Sequence, residues 1–131
     1  MLQQSVTLTL DPQTVAKRHA DAIAELIEGE VRFARHDRML YATDASIYQV
    51  EPLGVVIPRT AEDVRKALAY CAEHRLPVLP RGGGTSLAGQ CVAAAIVIDT
   101  SVHLHTLLDV DAEARTCRVQ SGKTLADLNK E

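Results

Sequence analysis

Residues 78–91 read Val-Leu-Pro-Arg-Gly-Gly-Gly-Thr-Ser-Leu-Ala-Gly-Gln-Cys. A short apolar run, Leu76 to Pro80, delivers the backbone to three consecutive glycines, Gly82, Gly83 and Gly84. Thr85 and Ser86 follow with hydroxyls, and a further glycine stands at Gly89. Glycine reaches positive φ at no steric cost, so successive N–H groups can turn toward one point and form a nest for an anion. Without a Cβ in the way, a phosphate can also approach the main chain closely. A lone Gly-Gly-Gly suits a flexible surface turn equally well. Here the glycines follow a strand-like segment and lead into small and hydroxylated residues, the context of a phosphate loop.

Two familiar phosphate loops do not fit. A P-loop needs Lys followed by Ser or Thr after its last glycine, because the ammonium reaches the outer phosphates and the hydroxyl holds magnesium. Gly84 leads directly to Thr85-Ser86 with no lysine. A dinucleotide fingerprint needs Gly-x-Gly-x-x-Gly with an acidic residue about 20 positions later for the ribose. Gly82 and Gly84 satisfy its start, but Leu87 stands where the third glycine belongs.

A third template matches. Pro80-Arg81-Gly82-Gly83-Gly84-Thr85-Ser86-Leu87-Ala88-Gly89-Gln90 resembles the pyrophosphate loop of the flavin-binding domain shared by vanillyl-alcohol oxidase and p-cresol methylhydroxylase. Upstream, Tyr41-Ala-Thr-Asp44-Ala-Ser46-Ile-Tyr48 and Glu51-Pro52-Leu-Gly54-Val-Val-Ile-Pro58-Arg59-Thr60 are similar to the glycolate oxidase and D-lactate dehydrogenase branch. Within that branch the similarity is greatest to large FAD-linked oxidases that carry an iron–sulfur region further along. It runs from about Arg38 to the C-terminus. The resemblance implies that Gly82, Gly83, Gly84, Thr85 and Ser86, with Arg81, Leu87, Gly89 and Gln90 around them, hold the diphosphate of FAD. It also implies oxidation of a small 2-hydroxy acid, lactate- or glycolate-like, at the flavin ring against a second domain. Some relatives tether FAD through a histidine after the paired glycines. Thr85 occupies that place here, so the expected flavin is non-covalent. Lys123 departs from the apolar residue usual after the glycine matching Gly122, and is expected to be exposed.

At 131 residues the chain fits one compact domain, and such a domain buries roughly two thirds of its unfolded surface. Apolar residues make up 47%, but aromatics only 3%, so Ala, Val, Leu and Ile must build the core. A net charge of −3 supplies no basic stripe, and no nucleic-acid partner is expected. Cys71, Cys91 and Cys117 lie far apart without Cys-x-x-Cys spacing and read as reduced thiols of a cytoplasmic protein. The N-terminus has neither the basic start nor the long apolar stretch of a signal peptide, and no segment is long enough to span a membrane.

The expected fold is α/β: a small parallel βαβ sheet with flanking helices, followed by the start of an antiparallel sheet. Residues 1–30 hold a leading helix, with Asp11 as N-cap, Pro12 at the first position, Val15, His19, Ala22, Ile23, Leu26 and Ile27 at helical spacing, and Gly29 as stop. Residues 31–54 read as irregular. Residues 55–100 form the α/β part: a strand at Val55–Pro58, a helix capped by Thr60 and Asp63 with the stripe Val64, Ala67, Leu68 and Cys71, a strand at Leu76–Pro80, and a strand at Ala94–Asp99. Residues 101–131 begin a second part, with strands at Thr106–Asp111 and Thr116–Gln120, Cys117 and Val119 facing the core, and a helix capped at Thr124. A lone hairpin and a freshly begun helix suggest an N-terminal piece of a larger flavin domain, inactive alone, whose substrate would bind a region further along.

Other residues offer weaker chemistry. His103 and His105 would share a face if extended, but no third ligand is nearby, and no metal site is expected. His19 and His74 read as helix-surface or boundary residues. Asp44 and Tyr48 either shape the flavin site or form turns. Arg81 either neutralises the diphosphate or packs its stem on the sheet. No catalytic residue is assigned. A competing reading is a non-catalytic nucleotide-binding or interaction module that self-associates through its exposed hairpin.

Overall fold

A computed structural model of the chain describes residues 12–131. Ten elements follow one another: α1 (Pro12–Leu26), β1 (Glu30–Arg32), α2 (Arg35–Leu40), β2 (Gly54–Ile57), α3 (Ala61–Glu73), β3 (Val78–Arg81), β4 (Ile96–Asp99), β5 (Leu107–Asp111), β6 (Thr116–Val119) and α4 (Leu125–Leu128). The mixed α/β class is as read from the sequence. The N-cap assigned to Asp11 lies outside the described residues.

The first sheet has the order β1-β2-β4-β3, with β2 and β3 each parallel to β4 and β1 antiparallel at the edge. The two strands joined by α3 are therefore not neighbours, because β4 lies between them. Composition accounts for this order. Ile96, Val97 and Ile98 are all buried, as a central strand covered on both faces requires. β3 carries Pro80, which lacks an N–H and is tolerated at a sheet edge.

Two cores sandwich the sheet. On one face Ile23 and Ile27 of the α1 segment and Ala67 and Cys71 of α3 pack on Val56, Ile96 and Ile98. On the other, Val55, Ile57 and Val97 pack with Leu79 of the same sheet and against Tyr41. Leu68, expected on the apolar stripe of α3, is instead exposed, and Tyr70 packs at the core margin.

Local chemistry sets the boundaries. Thr60 and Asp63 form a reciprocal capping box at the start of α3. Asp63 does more: its buried carboxylate also accepts the amides of Glu28 at 3.1 Å and Arg59 at 2.9 Å, which ties the turn after α1 to the start of α3. Burial alone would raise this carboxyl, but the surrounding amide donors hold it below the ordinary aspartate range. Gly29 lets the chain graze β2, since a Cβ there would stand 2.2 Å from the Ile57 carbonyl oxygen.

Several expectations change. The segment read as irregular contains α2 and a bridge between Thr43 and Gln49. Residues 101–103 turn rather than extend, so His103 and His105 do not share a strand face. Cys117 is exposed rather than core-facing, because β5 and β6 form a separate two-stranded sheet. The Lys123 side chain is only 7% exposed and pairs with Glu131 at 2.5 Å.

Candidate functional site

The glycine loop leaves the C-terminal end of edge strand β3, where open α/β sheets hold ligands. It is fastened to the segment 41–48 at three places. Arg81 donates to the carbonyl oxygens of Cys91 at 2.8 Å, Thr43 at 2.9 Å and Tyr41 at 3.4 Å. Ala45 N donates to the Gly84 carbonyl at 3.1 Å. Cys91 N donates to the Asp44 carboxylate at 3.2 Å, while the other carboxylate oxygen accepts Ser46 N at 2.9 Å. Hydrogen bonding from the Ser46 side chain is the main reason the Asp44 carboxyl lies below its ordinary range, ahead of the Cys91 amide and the charge of Arg81.

The Arg81 side chain also has a structural task that the sequence does not announce. Its guanidinium is committed to three carbonyl oxygens and stacks 5.3 Å from the centre of the Tyr41 ring. It bolts the loop's base to the preceding segment. A second network lies beneath. Tyr41 donates its hydroxyl to Asp99 at 2.7 Å, and Asp99 also accepts the amide and hydroxyl of Ser101. Burial, reinforced by the Asp99 bond, pushes the Tyr41 phenol up to about 12, so it stays a neutral donor.

Between these fastenings the main chain is open. Among the described residues, the amides of Gly82, Gly83, Gly84, Thr85, Ser86 and Leu87 donate to no protein acceptor. Among the described residues beyond its chain neighbours, a Cβ placed on Gly82 would meet no atom within 4 Å, and one on Gly83 only the Thr85 methyl at 3.6 Å. The protein's own packing does not demand glycine at either position. Gly84 and Gly89 are different, with φ of +65° and +74°. A Cβ on Gly84 would press on the Arg81 guanidinium at 2.5 Å, and one on Gly89 on the Tyr48 ring at 2.6 Å.

The hydroxyls divide. Ser86 Oγ accepts the amides of Gln90 at 3.1 Å and Ala88 at 3.3 Å, and donates to Gln90 Oε1. It closes a local turn, so Ser86 and Gln90 shape the loop through side chains turned on each other. Thr85 and Leu87 face solvent, and Leu87 is 82% exposed. The Tyr41–Asp99 pair and the bonds from Arg81 to Tyr41 and Thr43 have no signature in the sequence, since their partners stand 58, 40 and 38 positions apart.

No described helix is long and apolar enough to cross a membrane. Among the described residues no set of His, Cys, Asp and Glu is arranged to hold a metal, and His103 instead approaches Glu30 at 3.9 Å.

Comparison with known proteins follows the same lines. Residues 52–131 match the family described as FAD binding domain. D-2-hydroxyglutarate dehydrogenase of Pseudomonas putida is 38% identical over 104 residues, covering 77% of this chain and 10% of that protein. Glycolate oxidase subunit GlcD of Bacillus subtilis is 36% identical over 93 residues, covering 70% of this chain and 20% of that protein. This chain thus spans 10% to 20% of the length of these relatives. The solved structure of p-cresol methylhydroxylase with substrate bound superposes with a TM-score of 0.65 at 17% identity, covering 95% of this chain and 25% of that one. That likeness speaks to fold. The chain belongs to the FAD binding domain family, and its α/β architecture is that of the vanillyl-alcohol oxidase and p-cresol methylhydroxylase group.

Proposed function

We propose that this chain supplies the diphosphate-binding part of an FAD-linked dehydrogenase that oxidises a small 2-hydroxy acid. The observation that carries the reading is the run of six unpartnered amides from Gly82 to Leu87, held between the Arg81 clamp and the Asp44–Cys91 bond. Amides already stripped of protein partners and fixed at both ends suit a diphosphate, because little reordering accompanies binding. Gly82 and Gly83 leave open space where that group would lie. The flavin sits non-covalently, with Thr85 standing where some relatives carry the tethering histidine. Bound flavin would supply a two-electron acceptor for the hydrogen on the carbon bearing the substrate hydroxyl. The residues of this chain bind and orient, and substrate contacts belong to another part of the protein. Names of the relatives, D-2-hydroxyglutarate dehydrogenase and glycolate oxidase subunit, support the substrate class. The free cysteines fit a cytoplasmic setting.

Quenching of FAD fluorescence by the purified chain tests the reading. Weak but saturable quenching is expected, reduced about tenfold by Gly84→Val, since a β-branched residue at positive φ costs about 1–2 kcal/mol and disturbs the Arg81 clamp. Dye reduction with lactate, glycolate or 2-hydroxyglutarate is expected to be nil for the chain alone. Absence of saturable quenching, or equal quenching by the variant, contradicts the proposal. The hairpin supports a second reading, association between copies: Leu108 and Val110 are 54% and 62% exposed. Sedimentation at the monomer mass at every concentration would remove it.

A further inference from the structure

A groove of about 570 Å³ opens between α1 and the β1–α2 junction, lined by Ala16, Lys17, Ala20, Phe33, Ala34, Arg35 and Arg38. It shares no residue with the glycine loop. We propose that this groove is a second ligand site, taking a carboxylate with an apolar body.

Charge argues for the head group. Lys17, Arg35 and Arg38 all line the groove, and no described carboxylate lines it. Lys17 and Arg35 make no ion pair with any described residue. Arg38 spends Nη2 on Glu51 at 3.0 Å, and Asp37 does not line the groove. On α1, Asp21 and Glu25 line a different groove, beside Tyr70 and His74. Three cations thus face one cavity in a chain whose net charge is −3, so the patch is not a by-product of general basicity. Guanidinium groups favour carboxylates because their planar donors match the two oxygens.

Shape and polarity argue for the body. Ala16, Ala20, Phe33 and Ala34 give the groove an apolar floor, and its volume falls in the range of small-molecule sites. The floor is firm. Phe33 lies directly on β2 because position 54 is glycine: a Cβ there would stand 2.3 Å from the ring. A bare inorganic anion would use the cations and leave this floor unused.

Decanoate below its micelle-forming concentration is the probe, followed by amide NMR shifts of the whole chain. The expected result is saturable shifts centred on residues 16–20 and 33–38, with decanol and inorganic phosphate each binding more weakly. The double variant Lys17→Gln/Arg35→Gln is expected to weaken decanoate about tenfold through loss of two charge-assisted contacts. Ala34→Asp provides a check that preserves folding. Ala34 is the N-cap of α2 and makes no side-chain cap bond, so aspartate there favours the helix while placing an anion in the groove. Its decanoate shifts are expected to vanish. Saturating FAD should leave decanoate affinity unchanged, so the test stands apart from the flavin reading. Shifts that fail to saturate, shifts centred instead on Leu108 and Val110, or undiminished binding by both variants would overturn the proposal.

Discussion

The four-stranded sheet and the β5–β6 hairpin use strands of similar length and both use valine, yet they stand in opposite environments. In β2 and β4 every residue is buried, between α1 and α3 on one side and the Tyr41 segment on the other. In β5 and β6 only Leu107 and Val119 are even partly covered. Valine at 97 is fully buried, whereas valine at 110 is 62% exposed. Cover and composition go together in these strands, but for valine, which both sheets use, the difference between 97 and 110 is what packs over it, consistent with β-propensity being a property of surroundings. The glycine loop belongs to the covered half: it leaves β3 and is pinned to residues that cover the sheet.

The most severe way to probe this contrast is a matched pair of charges. Val97→Asp buries an unpaired carboxylate and is expected to cost more than about 4 kcal/mol, enough to unfold a domain of this size, while Val110→Asp should stay within about 0.5 kcal/mol. Urea titration of both variants reads the difference, and equal losses would erase the distinction. Next in size is Asp63→Ala. It leaves the amides of Glu28, Arg59 and Thr60 without their shared acceptor and should lower stability by about 2–3 kcal/mol in the same titration.

Gly122→Ala acts where the two halves meet. Gly122 N donates to the Leu104 carbonyl at 2.7 Å, and an added Cβ would stand 2.1 Å from the Thr100 carbonyl oxygen. A loss of about 1–3 kcal/mol is expected. Hydrogen exchange should accelerate in β5 and β6 while β2 and β4 keep their protection. Uniform acceleration would mean that the halves unfold as one unit.

The smallest effect is a pH dependence within the covered half. His19 of α1 lies 2.9 Å from the Tyr70 hydroxyl of α3, with His74 edge-on at 5.6 Å. Burial first, then the neighbouring His74 and Arg18, hold its imidazole below the ordinary value. The unfolded chain, titrating near ~6.5, takes up the proton more readily. The stabilisation is thus fully present above that pH and is lost as pH falls through the lower folded value. Thermal melting between about pH 7 and pH 5 should fall in the wild type and flatten in His19→Gln.

How far these features were legible depends on the range of the interaction behind them. The capping box of Thr60 and Asp63, the apolar run Ile96–Ile98 and the glycine loop are each written within a few residues, and all could be read directly. Strand order was written less plainly, in the proline of β3. Three features had no local signature. Arg81 turns to the carbonyls of Tyr41 and Thr43, Asp63 reaches back to Glu28, and Tyr41 finds Asp99 only after the chain has folded. Cys117 and Lys123 differ from expectation for the same reason: neither alternation along a strand nor a lysine at a position usually apolar in relatives reveals what lies opposite. In the hairpin Cys117 is exposed among the described residues, and in the last turn Glu131 meets Lys123.

The central claim is that the loop amides receive the flavin diphosphate, and residue-resolved amide shifts during titration with FAD test it most directly. The largest movements should fall on Gly82, Gly83, Gly84, Thr85 and Ser86, reproduced in direction by ADP, with the amides of Ala88, Gln90 and Cys91 nearly still because protein oxygens already hold them. Saturable movement elsewhere with the glycine amides silent, or no movement at millimolar FAD, would contradict the account.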